Sequence, residues 1–149
     1  MTTHISANTG CNLGCTYCYE EPDREVKQQI IDNEYDIDRI MDRLADWKDK
    51  YPNEPPGLHG GEPLLLRDEH IERIFEYVTE NWEEDRTHIQ TNGTLITDHH
   101  IDLFTEYDVH VGISCDGPAD LNDERLARSG GEDVTDRMTM RTHEAVDRL

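Results

Sequence analysis

Gly10-Cys11-Asn12-Leu13-Gly14-Cys15-Thr16-Tyr17-Cys18-Tyr19 is the most informative stretch of this 149-residue chain. Three cysteines at offsets of four and three would share one face of a helix. Gly10, Asn12 and Gly14 disfavour a helix, so the stretch reads as a loop. A loop can wrap its thiolates around a compact inorganic centre, and thiolates suit iron–sulfur clusters and zinc. A 4Fe-4S cubane offers four irons, and Cys11, Cys15 and Cys18 satisfy three of them. The last iron is left open to an outside ligand, and the amino and carboxylate groups of a methionine can chelate it. Zinc is the alternative. It takes four tetrahedral protein ligands, with His4, His59 or Cys115 as candidates for the fourth, although no second ligand pair has zinc-like spacing.

Outward from this loop the chain alternates between strand and helix signals. Residues 3–9 form a short strand running into the cysteines, and residues 20–34 are a polar connection. Apolar residues at helical spacing run from Ile37 through Ile40, Met41, Leu44 and Trp47 to Tyr51, and Pro52, Pro55, Pro56 and Gly57 end that helix. Residues 57–65 are apolar and strand-like at their start. A second helix starts near Asp68, read as its N-cap, and buries Ile71, Ile74, Phe75, Val78 and Trp82. Residues 87–91 predict a strand ending in the Asn92-Gly93 turn. A third helix begins near Asp98, with Ile101, Phe104 and Tyr107 on one side. Val109, Val111 and Ile113 alternate as a strand that ends in Asp116-Gly117-Pro118. Val134, Met138, Ala145, Val146 and Leu149 predict a last helix. Four βα repeats predict an α/β fold with parallel strands and right-handed crossovers. Every motif of interest falls where a strand ends, the edge at which parallel α/β folds bind ligands.

Composition narrows the function classes. The formal net charge is -20, from 34 acidic against 14 basic residues. That balance excludes a basic footprint for nucleic acid or an anionic membrane. Lysine occurs only at Lys27, Lys48 and Lys50, so eleven of the fourteen basic residues are arginine. High acidity with little lysine suits concentrated salt, where repulsion is screened to about 3 Å at 1 M, and predicts a halophilic protein. No apolar run approaches the roughly 20 residues of a membrane span. Met1-Thr-Thr-His lacks signal-peptide features, so a cytoplasmic location is expected. In that reducing compartment four cysteines point to metal or reactive roles.

The cysteine motif has the CxxxCxxC spacing of radical S-adenosylmethionine (AdoMet) enzymes, with an aromatic residue before the last cysteine, and resembles that family. Further matches follow in order. Gly60-Gly61-Glu62-Pro63 resembles the family's glycine–glycine–glutamate–proline element. Thr91-Asn92-Gly93-Thr94 resembles the turn after the third strand, and Ser114-Cys115-Asp116-Gly117-Pro118 the turn after the fourth. With Cys18-Tyr19, the set most resembles the branch of anaerobic sulfatase maturases and peptide-modifying enzymes with a C-terminal SPASM domain.

The resemblance implies the first four βα units of a partial (β/α)6 barrel. Residues 1–149 are therefore expected to be the N-terminal part of a core domain, truncated and without a SPASM domain. It implies a 4Fe-4S cluster and AdoMet as cofactors. AdoMet is cleaved reductively to methionine and a 5′-deoxyadenosyl radical, which abstracts hydrogen from a substrate, here a peptide or protein; the electron donor is unspecified. A non-catalytic iron–sulfur or zinc module, or an inactive fragment, is the competing reading. Gly60 and Gly61 lack Cβ atoms and let backbone approach a ligand. Glu62 is expected to accept hydrogen bonds from the methionine ammonium, so that Glu62→Ala weakens AdoMet binding without removing the cluster. Ser114 and Asp116 are expected to reach the methionine carboxylate or ribose, and Pro63 and Asn92, in the two neighbouring turns, are counted with them as AdoMet-binding residues. The resemblance also places Tyr17 beside the adenine and gives an arginine after the fourth strand, Arg125 before Arg128, to the carboxylate. Asn122-Asp123-Glu124-Arg125 departs there from the family's His-Asp pattern. Cys115 is read as a buried thiol rather than a ligand. His88, His99, His100 and His110 are read as surface or strand residues.

Overall fold

A computed structural model describes residues 4–8, 10–15, 18, 35–82, 86–115 and 132–149. Four short strands, β1 (His4–Ser6), β2 (Gly57–His59), β3 (His88–Thr91) and β4 (His110–Ile113), form one sheet in that order. All neighbours are parallel. Helices α1 (Ile37–Lys50), α2 (Asp68–Asn81), α3 (Asp98–Glu106) and α4 (Glu132–Arg148) alternate with them. The βα order and parallel sheet expected from the pattern are therefore present.

The pleat sorts the side chains into two faces. Ile5, Leu58, Ile89 and Val111 are register partners and form one apolar row across all four strands. Ile40 and Leu44 of α1, Ile71, Ile74, Phe75 and Val78 of α2, and Leu103 and Phe104 of α3 join that row in one core. Each such fully buried side chain contributes about 1.5–3 kcal/mol. The opposite row carries His4 paired with Gly57, and His88 paired with His110. Gly57 lies between two imidazoles. A Cβ there would sit 2.4 Å from the His88 ring and 2.9 Å from His4 Nδ1, so only glycine fits.

Three expectations are corrected. Asp68 is the first helical residue, not the N-cap; Arg67 holds that position and makes no side-chain cap bond. The Asp68 carboxylate instead approaches His100 Nε2 at 3.2 Å. His100 is buried rather than a surface residue, because it completes the capping box of α3. The Thr97 N–H donates to His100 Nδ1 at 3.1 Å, which fixes the neutral tautomer with its proton on Nε2, poorly aligned toward Asp68. The expected last helix is α4; Ala145 on it is buried, while Val146 and the following Leu149 are about half exposed, at 50 % and 52 %. Val134 and Met138 lie within α4, and their side chains lie outside the described ones. Cys115 is half-buried rather than buried.

Burial pushes the His100 pKa below its ordinary 6.5, aided by His99 and opposed by Asp68. The unfolded chain therefore takes up the proton first. The contribution of this imidazole is complete above about pH 6.5 and is lost as pH falls through the depressed folded value. Urea midpoints measured at pH 7.5 and 5.5 should fall more steeply for wild type than for His100→Gln, since glutamine keeps the cap without titrating. Parallel pH dependences would refute this role.

Candidate functional site

The four carboxyl-terminal strand ends meet at one edge, and the cysteine loop is stitched to it by backbone bonds. Ala7 N–H donates to His59 O at 3.2 Å, Gly61 N–H to Asn8 O at 3.3 Å and Glu62 N–H to Gly10 O at 2.7 Å. Asn8 Nδ2 returns a bond to Glu62 O at 2.9 Å. Parallel pairing of β1 and β2 thus continues past both strands into the two motifs. Gly60 makes the turn possible. Its φ is +142°, and a Cβ would lie 2.4 Å from Asn8 O. The close approach that demands glycine here is made by the chain's own backbone, where the sequence suggested a ligand.

Glu62 is fully buried. Its Oε1 accepts from Leu64 N–H at 3.0 Å and from Thr91 Oγ1 at 2.6 Å, and Oε2 accepts from Asn92 N–H at 2.8 Å. The carboxylate caps the 3-10 turn Pro63–Leu65, in which Pro63 occupies the first turn and is buried, and ties that turn to the end of β3. Burial pushes its pKa up, and the three hydrogen bonds oppose the rise. The side chain expected to meet an ammonium group is occupied by three donors of its own protein.

Asn92 connects everything else. Its Oδ1 accepts from Thr94 N–H at 2.9 Å and Thr94 Oγ1 at 2.6 Å. Its Nδ2 donates to Asn12 Oδ1 at 2.9 Å and to Cys11 Sγ at 3.8 Å. Asn12 Nδ2 reaches Thr94 Oγ1 at 2.8 Å, and Thr142 Oγ1 of α4 donates to Asn92 O at 2.9 Å. Ser114 follows β4, donating its N–H to Thr91 O at 2.8 Å and accepting from Gln90 Nε2 at 2.8 Å. Tyr17, Asp116 and Arg125 lie outside the described residues. Asn8 and Thr142 went unread in the sequence, and Asn12 and Thr94 were read only as loop and turn residues. Asn8 lies just before the cysteine motif and Asn12 within it, the one local signal that could have drawn attention to them.

Cys11, Cys15 and Cys18 are half-buried, and no disulfide joins the described cysteines. Burial pushes the Cys11 thiol up to about 11. Nearby Glu62 and Cys15 add to the rise, while the Leu13 N–H, 3.4 Å from Cys11 Sγ, and Asn92 oppose it. Among the described residues no three His, Cys, Asp or Glu side chains are gathered for a single metal ion. The fit to an iron–sulfur cluster is one of donor type and placement: three thiols on one loop, with N–H donors aimed at the first sulfur.

A parallel α/β sheet with a thiol-bearing loop at its carboxyl edge has the architecture of the partial-barrel class. The profile of the radical SAM superfamily matches residues 5–148, and the chain belongs to that superfamily. An uncharacterized protein of Synechocystis sp. is 37 % identical over 136 residues, covering 85 % of this chain and 33 % of the relative. The cysteine-type anaerobic sulfatase-maturating enzyme of Clostridium perfringens (strain 13 / Type A) is 32 % identical over 122 residues, covering 78 % of this chain and 32 % of the relative. The chain thus spans about a third of the length of these curated relatives. The structure of anSMEcpe with bound AdoMet superposes with a TM-score of 0.68 at 22 % identity, over 99 % of this chain and 39 % of that one. At that identity the likeness establishes the fold. No helix among the described residues is long and apolar enough to cross a membrane.

Proposed function

We propose that this chain is the part of a radical SAM enzyme that binds and cleaves AdoMet, with Cys11, Cys15 and Cys18 holding a 4Fe-4S cluster. The observation that carries this reading is the cysteine loop tied across the ends of β2 and β3 through Glu62 and Asn92. When bound, the cluster delivers the electron that splits AdoMet into methionine and a 5′-deoxyadenosyl radical. The protein's share is positioning. The turn at Gly60, Gly61, Glu62 and Pro63 sets one wall of the AdoMet site, with Glu62 holding the wall in shape from behind. Asn92 and Ser114 set the neighbouring strand ends, and Tyr17, Asp116 and Arg125 supply further contacts to AdoMet. The sulfatase-maturating relatives support a peptide or protein as the substrate class.

Anaerobic reconstitution in high salt tests the reading, with iron and sulfide counted and methionine and 5′-deoxyadenosine measured after reduction. One cluster per chain and equal amounts of both products are expected. A cluster without products would make the chain a binding module, and stoichiometric zinc with no iron would overturn the ligand assignment.

A further inference from the structure

The amide of Asn92 has an orientation that the surrounding donors dictate. Thr94 N–H can only donate, so the atom it meets at 2.9 Å must be Oδ1. The amide NH2 is then forced to the opposite side. There its two hydrogens face Asn12 Oδ1 at 2.9 Å and Cys11 Sγ at 3.8 Å. The backbone of Asn92 is held from two further directions, by Glu62 Oε2 at its N–H and by Thr142 Oγ1 at its carbonyl. The residue is 7 % exposed, so these bonds are made away from bulk water. Asn92 thus bonds to the cysteine loop, the Glu62 turn, the Thr94 turn and α4 together.

We infer that Asn92 is a positioning residue for the cysteine loop, and that its N–H···S bond to Cys11 raises the reduction potential of the cluster. This rests on Cys11 being a cluster ligand. A donor aimed at a ligand sulfur stabilises negative charge on that sulfur. A reduced cluster carries one more negative charge than an oxidised one, so the bond favours reduction. Leu13 N–H, at 3.4 Å, acts on the same sulfur but belongs to the loop itself. Asn92 comes from a strand end 81 residues away, so it also fixes where the loop sits. The role differs from that of an AdoMet contact, because the amide is turned toward sulfur and Asn12.

Asn92→Asp is the direct test. Its carboxylate still accepts from Thr94, but it loses the donor to Cys11 and adds a negative charge beside the sulfur. Asn92→Ser is the second variant. It still offers an oxygen to Thr94 N–H, adds no charge and is too short to reach Cys11. All three proteins are reconstituted with iron and sulfide, the iron is counted, and the potential is measured by a titration followed by electron paramagnetic resonance. For Asn92→Asp we expect unchanged iron and a reduced-to-oxidised ratio about tenfold lower at a fixed poise, a shift of about 59 mV to the negative for one electron. Asn92→Ser should shift the same way by less. Full iron with an unchanged potential in both variants, even with a lowered thermal midpoint, would overturn the inference and leave Asn92 a merely structural residue. Failure of the wild-type chain to take up any cluster would overturn the ligand assignment and this inference with it.

Discussion

Glu62→Ala is expected to cost about 4 kcal/mol of folding stability, because it strands three buried donors at about 1–3 kcal/mol each. Those donors are Leu64 N–H, Thr91 Oγ1 and Asn92 N–H. The void left behind adds to the loss. Glu62→Gln should cost less, about 1–3 kcal/mol, through one donor facing another. If Nε2 replaces Oε1 it meets Leu64 N–H, and if it replaces Oε2 it meets Asn92 N–H. Thr91 can reverse its hydroxyl, but the two backbone groups cannot. Urea unfolding of the two variants against wild type checks both numbers. An unchanged midpoint for Glu62→Ala would show that the carboxylate is not a pin of the fold, and would restore the simpler expectation of a ligand contact alone. Loss of the carboxylate also frees the turn whose backbone N–H and O hold Gly10 and Asn8 on the amino-terminal side of the loop, so the variant is expected to lose cluster binding together with stability, where the sequence suggested weaker AdoMet binding with the cluster kept.

Replacing any one of Cys11, Cys15 and Cys18 by alanine should abolish the cluster, whereas Cys115→Ala should keep it. Each replacement in the loop leaves two thiolates for a centre that needs three. Cys115 belongs to the turn after β4 and is not required, because the open iron is reserved for AdoMet in the proposed arrangement. Iron, acid-labile sulfide and visible absorbance after anaerobic reconstitution are the measurements. Retention of full iron in a loop variant, or its loss in Cys115→Ala, would show that the fourth cysteine had been misassigned. Far-ultraviolet circular dichroism of each apo-protein separates ligand loss from unfolding. Cys11→Ala also removes the sulfur that Asn92 addresses, but Asn92 keeps its bonds to Asn12 and Thr94, so folding should survive.

The sequence by itself determined the parts of this protein that depend on local periodicity and spacing. Helical spacing from Ile37 marked α1, and Ile71, Ile74, Phe75 and Val78 marked the buried face of α2. Alternation at Val111 and Ile113 marked β4. The cysteine spacing, with the ordered glycine, asparagine and serine turns, marked the edge where the site lies. These signals are legible because a helix or strand repeats its environment at a fixed interval, so each residue reports the face on which it sits. Tertiary structure alone decided the partners. Glu62 meets Thr91 across 29 residues, Thr142 meets Asn92 across 50, and Cys11 meets Asn92 across 81. No local period encodes such pairings. They also explain where the pattern misled. Asp68 read as a cap from its type, yet the chain enters α2 one residue earlier and turns that carboxylate toward His100. Gly60 read as room for a ligand, yet the carbonyl of Asn8 fills that room. The spacing of Ala145, Val146 and Leu149 marked the last helix but not which of them is covered: Ala145 is buried while Val146 and Leu149 are half exposed, because burial depends on what another segment brings to that face.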